Sequence, residues 1–90
     1  MTARQVSFTD EAWEDYLYWQ GQDRKTLKRI NSLIRDVLTD DPFTGIGKPE
    51  ALKHALAGCW SRRIDETNRL VYRVTATHVE VLQARYHYDD

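Results

Sequence analysis

Ninety residues and 10.6 kDa describe one small domain, 1–90, too short to hold a second core. A hydrophobic fraction of 41% with three Trp, five Tyr and two Phe excludes a disordered chain, and no apolar run approaches the length of a membrane span. The formal charge of −1 hides an asymmetry: residues 1–42 carry six Lys/Arg against eight Asp/Glu, and residues 43–88 carry seven against four with all three histidines added. A basic C-terminal half permits contact with a polyanion without requiring it. Cys59 has no cysteine to pair with, and the opening Met1-Thr-Ala-Arg-Gln is not an apolar signal segment. The expected location is a reducing cytosol, with no membrane association.

Alternation of Val6 and Phe8 with polar neighbours predicts a first strand over Arg4–Phe8. Thr9 and Asp10 offer N-cap chemistry, and Asp10, Glu11 and Glu14 suit the positive end of a helix that runs to about Trp19. Trp13, Tyr16 and Leu17 form its expected buried stripe. Tyr18 points away from that stripe and Trp19 sits at its margin, so the two read equally as a homodimer surface or as the edge of the core. Gly21-Gln22-Asp23 should break this helix and cap the next, Arg24 to about Leu38, whose Leu27, Ile30, Leu33, Ile34, Val37 and Leu38 follow the helical period. So short a connection predicts an antiparallel helical hairpin.

Asp40-Asp41-Pro42 should end the second helix, with Gly45 and Gly47 in a loop. Pro49 is placed to open a short helix that Gly58 would close, setting Glu50, Lys53 and His54 on one face. Beyond Gly58 the period becomes two, and Trp60–Asp65, Arg69–Thr75 and Val79–His87 read as an antiparallel meander. The fold class is α+β in the order β-α-α-β-β-β, with the hairpin on one face of the sheet. Parity turns Leu70, Tyr72 and Val74, and Leu82, Ala84 and Tyr86, towards the helices. Arg69, Arg73, Arg85, His87 and, by extension, Arg63 should then lie on the open face. Arg62 breaks the pattern by sharing the parity of Trp60 and Ile64, which a sheet edge would accommodate.

Several chemistries lack support. Lys48 and its glycines do not make GxxxxGK[ST], so a P-loop is rejected. His54, His78 and His87 show neither HxxxH nor HExxH spacing, and the carboxylates form no DxD cluster, so a metal site is not expected. Ser61, His87 and Asp65 could assemble a triad only without a nucleophile elbow. Cys59 reads as a small core residue. What remains is a carboxylate at Glu50, arginines on the open face, and His87 beside Tyr88. That inventory suits RNA cleavage by its own 2′-hydroxyl: a base takes the 2′ proton, cations hold the charged phosphate, and an acid protonates the departing 5′-oxygen.

Five segments in order, Trp13–Gln20 (WEDYLYWQ), Gly47–His54 (GKPEALKH), Trp60–Ile64 (WSRRI), Arg69–Tyr72 (RLVY) and Arg85–Tyr88 (RYHY), resemble the YoeB toxins of bacterial toxin–antitoxin pairs, within the RelE superfamily. The likeness runs from about Val6 to Tyr88. It implies a RelE/YoeB-like sheet carrying a helical hairpin, and metal-free cleavage of messenger RNA in the A site of the 70S ribosome without a cofactor. By the same resemblance Glu50 is the general base, Arg69 stabilises the phosphorane, His87 is the general acid and Tyr88 orients the substrate. Lys48, Lys53, His54, Arg63, Arg73 and Arg85 are assigned to RNA binding. The implied partners are the ribosome with its mRNA, a cognate YefM-like antitoxin and a second copy of the chain. Asp89 and Asp90 depart from the family pattern, which commonly ends at the tyrosine matching Tyr88. The competing readings are a non-catalytic inhibitor on the same scaffold, for example one directed at gyrase, and a silent RNA-binding domain.

Overall fold

The structure, a computed structural model, describes residues 4–39 and 41–87. The first strand, β1 (Gln5–Phe8), ends where Thr9 takes an extended conformation (φ −68°, ψ 164°) and its Oγ1 accepts from the Ala12 amide at 3.1 Å. That cap starts α1 (Asp10–Gln22), with Asp10 and Glu11 at its positive end. The helix runs three residues past Trp19 and through Gly21, because an interior glycine costs a helix only about 1 kcal/mol. Asp23 is the real break. Its amide closes α1 on the Trp19 carbonyl at 2.9 Å, while its carboxylate accepts from the Lys25 and Thr26 amides to start α2 (Arg24–Val37). The hairpin therefore turns on one residue.

Five strands follow the order β1-β5-β4-β3-β2, where β2 is Glu50–Ala51, β3 Trp60–Arg63, β4 Arg69–Val74 and β5 His78–Gln83. β2 through β5 pair antiparallel, and β1 joins β5 in parallel. The α+β class and the one-sided hairpin are as the sequence predicts; β2 is an addition. The expected helix after Pro49 is absent: Glu50 and Ala51 pair with Ser61 and Trp60, and only a 3₁₀ turn, His54–Leu56, follows. An eight-residue stretch with few apolar positions holds better by pairing with a neighbouring edge strand than as an isolated helix.

The main core lies between hairpin and sheet and contains Ala12, Trp19, Ile30, Leu33, Val37, Leu70, Tyr72, Val79, Val81 and Ala84. The inward face of α1 is Ala12, Asp15 and Trp19; of the expected stripe, half-buried Tyr16 packs on the core, whereas Trp13 and Leu17 are exposed by 46% and 38%. Small Ala12 lets the helix approach β5 closely. Trp13 instead stacks on Tyr16, and both rings meet Phe8, at centroid separations of 5.5–5.7 Å.

Parity also fails in β5, for a specific reason. Tyr72 faces Val81 while Val71 faces Gln83, so Leu82 is an extra residue in a β-bulge. Val79 and Val81 thus point to the helices, Leu82 joins the opposite face, and Ala84 returns to the core. The regular strand stops at Gln83 rather than continuing to His87. On the side away from the helices the chain 52–59 folds back, so that Leu52, Leu56 and Cys59 roof Val71 and Leu82. The face expected to be open is half covered, and Cys59 is the small buried residue its sequence context suggests.

Arg62 is fully buried beneath this sheet, not at an edge. Its Nε donates to the Tyr72 hydroxyl (3.1 Å), Nη1 to the Ile46 carbonyl (3.1 Å) and to the Asp36 carboxylate, and Nη2 to the carbonyls of Pro42 (3.0 Å) and Thr44 (2.7 Å). Tyr72 in turn donates to the Pro42 carbonyl at 2.8 Å. Burial pushes the Tyr72 hydroxyl's pKa up, which keeps it the neutral donor this bond needs. One guanidinium therefore gathers the loop that leads to Glu50. Gly45 (φ +120°) sits where a Cβ would run into the Asp36 carboxylate, so side-chain-free backbone is required there.

Candidate active site

β2 brings Glu50 opposite Ser61, and β3 sets Arg63 opposite Arg69, so all four side chains share the face away from the hairpin. Two strand spacings and two residues along place the Glu50 and Arg69 Cα atoms about 12 Å apart. Glu50 arrives there because Arg62 holds the preceding loop and the Gly47 carbonyl accepts from the Arg63 amide at 2.7 Å. Both Glu50 and Arg63 are exposed.

Arg69 is only 8% exposed. Its Nη1 donates to the carbonyls of Asp65 (2.7 Å), Glu66 (3.2 Å) and Asn68 (3.2 Å), locking the turn between β3 and β4. The same turn is held by the Asp65 carboxylate, which accepts from the Thr67 and Asn68 amides at 2.8 and 2.6 Å. Burial raises the Asp65 pKa, but the bonds from Asn68 and Thr67 and the charge of Arg69 outweigh it and hold the carboxyl below its ordinary value.

The C-terminal segment is tied to this corner at two points. At the first, the buried Asp15 carboxylate accepts from the Ala84 amide at 3.0 Å while the Trp19 indole donates to the Ala84 carbonyl at 2.7 Å. At the second, the Tyr86 amide donates to Asn68 Oδ1 at 2.7 Å, and the Tyr86 carbonyl accepts from the Arg69 amide and from Gln83 Nε2, both at 3.0 Å. His87, exposed, is the next residue. The chain thus brings Arg69 and the residue before His87 into direct contact. Sequence reasoning does not single out Asp15, Asn68 or Gln83, and it puts Trp19 at the margin of the helix stripe when the residue is buried in the core. The available signal was Asp15 four residues before Trp19, which stacks both on one helical face.

The remaining sequence candidates divide. Lys53 precedes the 3₁₀ turn and its carbonyl accepts from Leu56, while Lys48 and His54 adopt left-handed backbone (φ 52° and 54°); all three side chains are exposed. They do not form a helical face with Glu50, because no helix is present. Arg73 is paired across the strands with Glu80, which offsets its charge. Arg85 leaves the expected face altogether: its guanidinium carbon lies 3.4 Å from the Tyr18 ring centroid on α1. The bulge at Leu82 and the end of β5 redirect it. Tyr88, assigned by sequence to substrate orientation, lies outside the described residues, as do Asp89 and Asp90. Among the described residues no three His, Cys, Asp or Glu side chains cluster as metal ligands, and no helix is long and apolar enough to cross a membrane.

Comparison with known proteins gives this arrangement a context. Residues 8–88 match the family model described as the YoeB-like toxin of bacterial type II toxin–antitoxin systems. Toxin YoeB of Streptomyces coelicolor is 57% identical over 83 residues, covering 92% of this chain and 98% of its own. The YoeB dimer from Staphylococcus aureus superimposes with a TM-score of 0.89 at 41% identity, covering 97% of this chain and all of that one. The toxin in a heterotetrameric YoeB–YefM complex from the same organism gives 0.87 at 42% identity, over 94% and 98% of the two chains.

Proposed function

The chain belongs to the YoeB-like toxins of bacterial type II toxin–antitoxin systems, and from that premise we propose that it is a ribosome-dependent endoribonuclease that cleaves mRNA in the ribosomal A site. The observation that carries this reading is the hydrogen bond from the Arg69 amide to the Tyr86 carbonyl, which fixes a cation of β4 beside the residue preceding His87. Glu50 stands across the same sheet face, two strands away.

In this scheme the Glu50 carboxylate takes the proton of the 2′-hydroxyl, and the freed oxygen attacks the adjacent phosphorus. The P–O5′ bond breaks as His87, in its imidazolium form, protonates the departing oxygen. The products are a 2′,3′-cyclic phosphate and a 5′-hydroxyl. Charge grows on the non-bridging oxygens in between, and Arg69 stabilises it. The Nη1 of Arg69 exchanges neutral turn carbonyls for phosphate oxygens on binding, a change that favours the charged acceptor. Arg63, Lys48, Lys53 and His54 add positive charge around the phosphodiester path, and Tyr88 orients the substrate. No step in this scheme calls on a metal or cofactor.

The proposed partners are the 70S ribosome with mRNA, a YefM-like antitoxin and a second copy of the chain. The antitoxin reading draws on the solved YoeB–YefM assembly, and the dimer reading on the solved YoeB dimer together with exposed Val6, Trp13, Leu17 and Tyr18. The toxin acts in the bacterial cytoplasm, where its ribosomal target is. The decisive experiment incubates the purified protein with translating ribosomes and maps new message ends. New 5′ ends within A-site codons, absent when ribosomes are omitted, are expected. Translation arrest without new ends would overturn the nuclease reading in favour of a non-catalytic inhibitor.

A further inference from the structure

Tyr86 combines features that the fold itself does not require. It is the described non-glycine residue with the largest positive φ, +69°, a left-handed conformation that penalises a side chain carrying a Cβ. Three hydrogen bonds to its backbone, from Arg69 and Gln83 and to Asn68, hold it there. The result is an aromatic ring 57% exposed, the most exposed large apolar side chain among the described residues. A tyrosine serving the core would not be clamped in strained backbone to face solvent.

The ring is also backed. The Arg85 guanidinium carbon lies 4.5 Å from the Tyr86 centroid and 3.4 Å from that of Tyr18, so the cation is shared by two π faces. Trp19 meets Tyr18 edge-on at 5.0 Å, and its indole is itself fixed on Ala84. The stack Tyr18–Arg85–Tyr86 thus rests on a buried helix residue and ends at an exposed ring, one residue from His87.

We propose that Tyr86 is a stacking platform for an RNA base, specifically the base of the nucleotide on the 3′ side of the scissile phosphate. This rests on the proposed nuclease reading, which puts His87 against the departing 5′-oxygen; that oxygen belongs to the 3′ nucleotide. A flat, rigidly supported ring with a cation behind it suits any base, because every base has a π face. It therefore positions the leaving group while leaving sequence choice largely to other contacts.

The test uses ribosomes programmed with messages carrying 2-aminopurine at each A-site position in turn, with 2′-O-methyl groups blocking cleavage. Wild-type protein and Tyr86→Phe should quench the fluorophore on the 3′ side of the cut mapped with unmodified message. Tyr86→Asn removes the ring but suits left-handed backbone, so its melting temperature should stay near wild type. Its quenching should be lost, and its cleavage slowed about 5–160-fold, the range that one lost base stack implies. His87→Gln should slow cleavage by about 10²-fold or more yet keep the quenching, which separates this inference from the nuclease reading. Quenching that is equal in wild type and Tyr86→Asn, or that depends on Tyr86 only at the 5′ nucleotide, would overturn the platform even if cleavage is intact. Absent cleavage by a wild type that still shows Tyr86-dependent quenching would instead overturn the nuclease reading.

Discussion

Replacing Arg62 with Met tests whether one buried guanidinium organises the approach to the site. The substitution keeps most of the side-chain volume and removes five donated bonds, leaving the Asp36 carboxylate and the carbonyls of Pro42, Thr44 and Ile46 without them. Arg62 is fully buried but the Asp36 side chain keeps 30% of its exposure, so losing this pair together with the carbonyl bonds costs about 3 kcal/mol, the low end for a buried charged pair. A domain of this size has roughly 5–13 kcal/mol in total, so about a quarter or more of its stability should go. At about 4–8 °C per kcal/mol the melting temperature should fall by at least ~12 °C. The exposed pair Arg73–Glu80 supplies an internal control, because Arg73→Ala removes an interaction worth at most about 1 kcal/mol. Thermal and urea unfolding measured by circular dichroism read the global loss. The fluorescence of Trp60, whose ring lies 4.8 Å from that of Phe43, reports whether the loop is in place. A shift below about 4 °C for Arg62→Met, with the Trp60 signal unchanged, would refute the claim that this arginine holds the loop.

His87→Gln should keep the fold, because His87 is exposed, yet slow ribosomal cleavage by about 10²-fold or more; full cleavage removes it from the mechanism. Arg69→Ala should lower the single-turnover rate more than ribosome affinity, and it should also lower the melting temperature, because three turn carbonyls lose a donor. An equal fall in rate and binding would make it an ordinary phosphate anchor. The Asp36 pKa is lowered by the Arg62 hydrogen bond and then by the Ile46 amide, against the effect of burial. Its contribution to stability is therefore complete above the unfolded carboxylate pKa of about 4 and is lost as pH falls through the lower folded value. Asp36→Asn should flatten urea stability between about pH 5 and 2; an unchanged slope would show that Asp36 is not the group responsible.

The elements that the sequence made legible are those whose signal is local. The period of Leu27, Ile30, Leu33 and Val37 and the cap at Asp23 define α2 without any tertiary help. The alternation through Leu70, Tyr72 and Val74 likewise gives β4 and its inward face. Failures came where a distant partner decides. Glu50–Ala51 has no strand signature of its own and becomes β2 because Trp60–Ser61 presents an unpaired edge. The inward face of α1 escapes a hydrophobic pattern because Trp13 outranks Ala12 and Asp15 in hydrophobicity, whereas close approach to β5 and a carboxylate for the Ala84 amide favour the smaller and more polar residues.

The same distinction runs through the site. Glu50, Arg69 and His87 could be picked out as types suited to phosphodiester chemistry, yet what aims them comes from residues that look structural. Asp15 shows how this works. Burial raises its pKa, against the Ala84 hydrogen bond and the Arg85 charge, so a carboxylate is kept here at a cost. The return is an acceptor for the first amide after β5, at the point where the bulge at Leu82 has already turned the chain. Bulge, Asp15 and Trp19 together set the direction in which Arg85, Tyr86 and His87 leave the sheet. Parity counting cannot anticipate one inserted residue, and so it placed Arg85 with the RNA-facing cations when the chain places it between Tyr18 and Tyr86. Here the extra residue in β5 is what separates the arginine that supports an aromatic stack from the histidine that faces solvent.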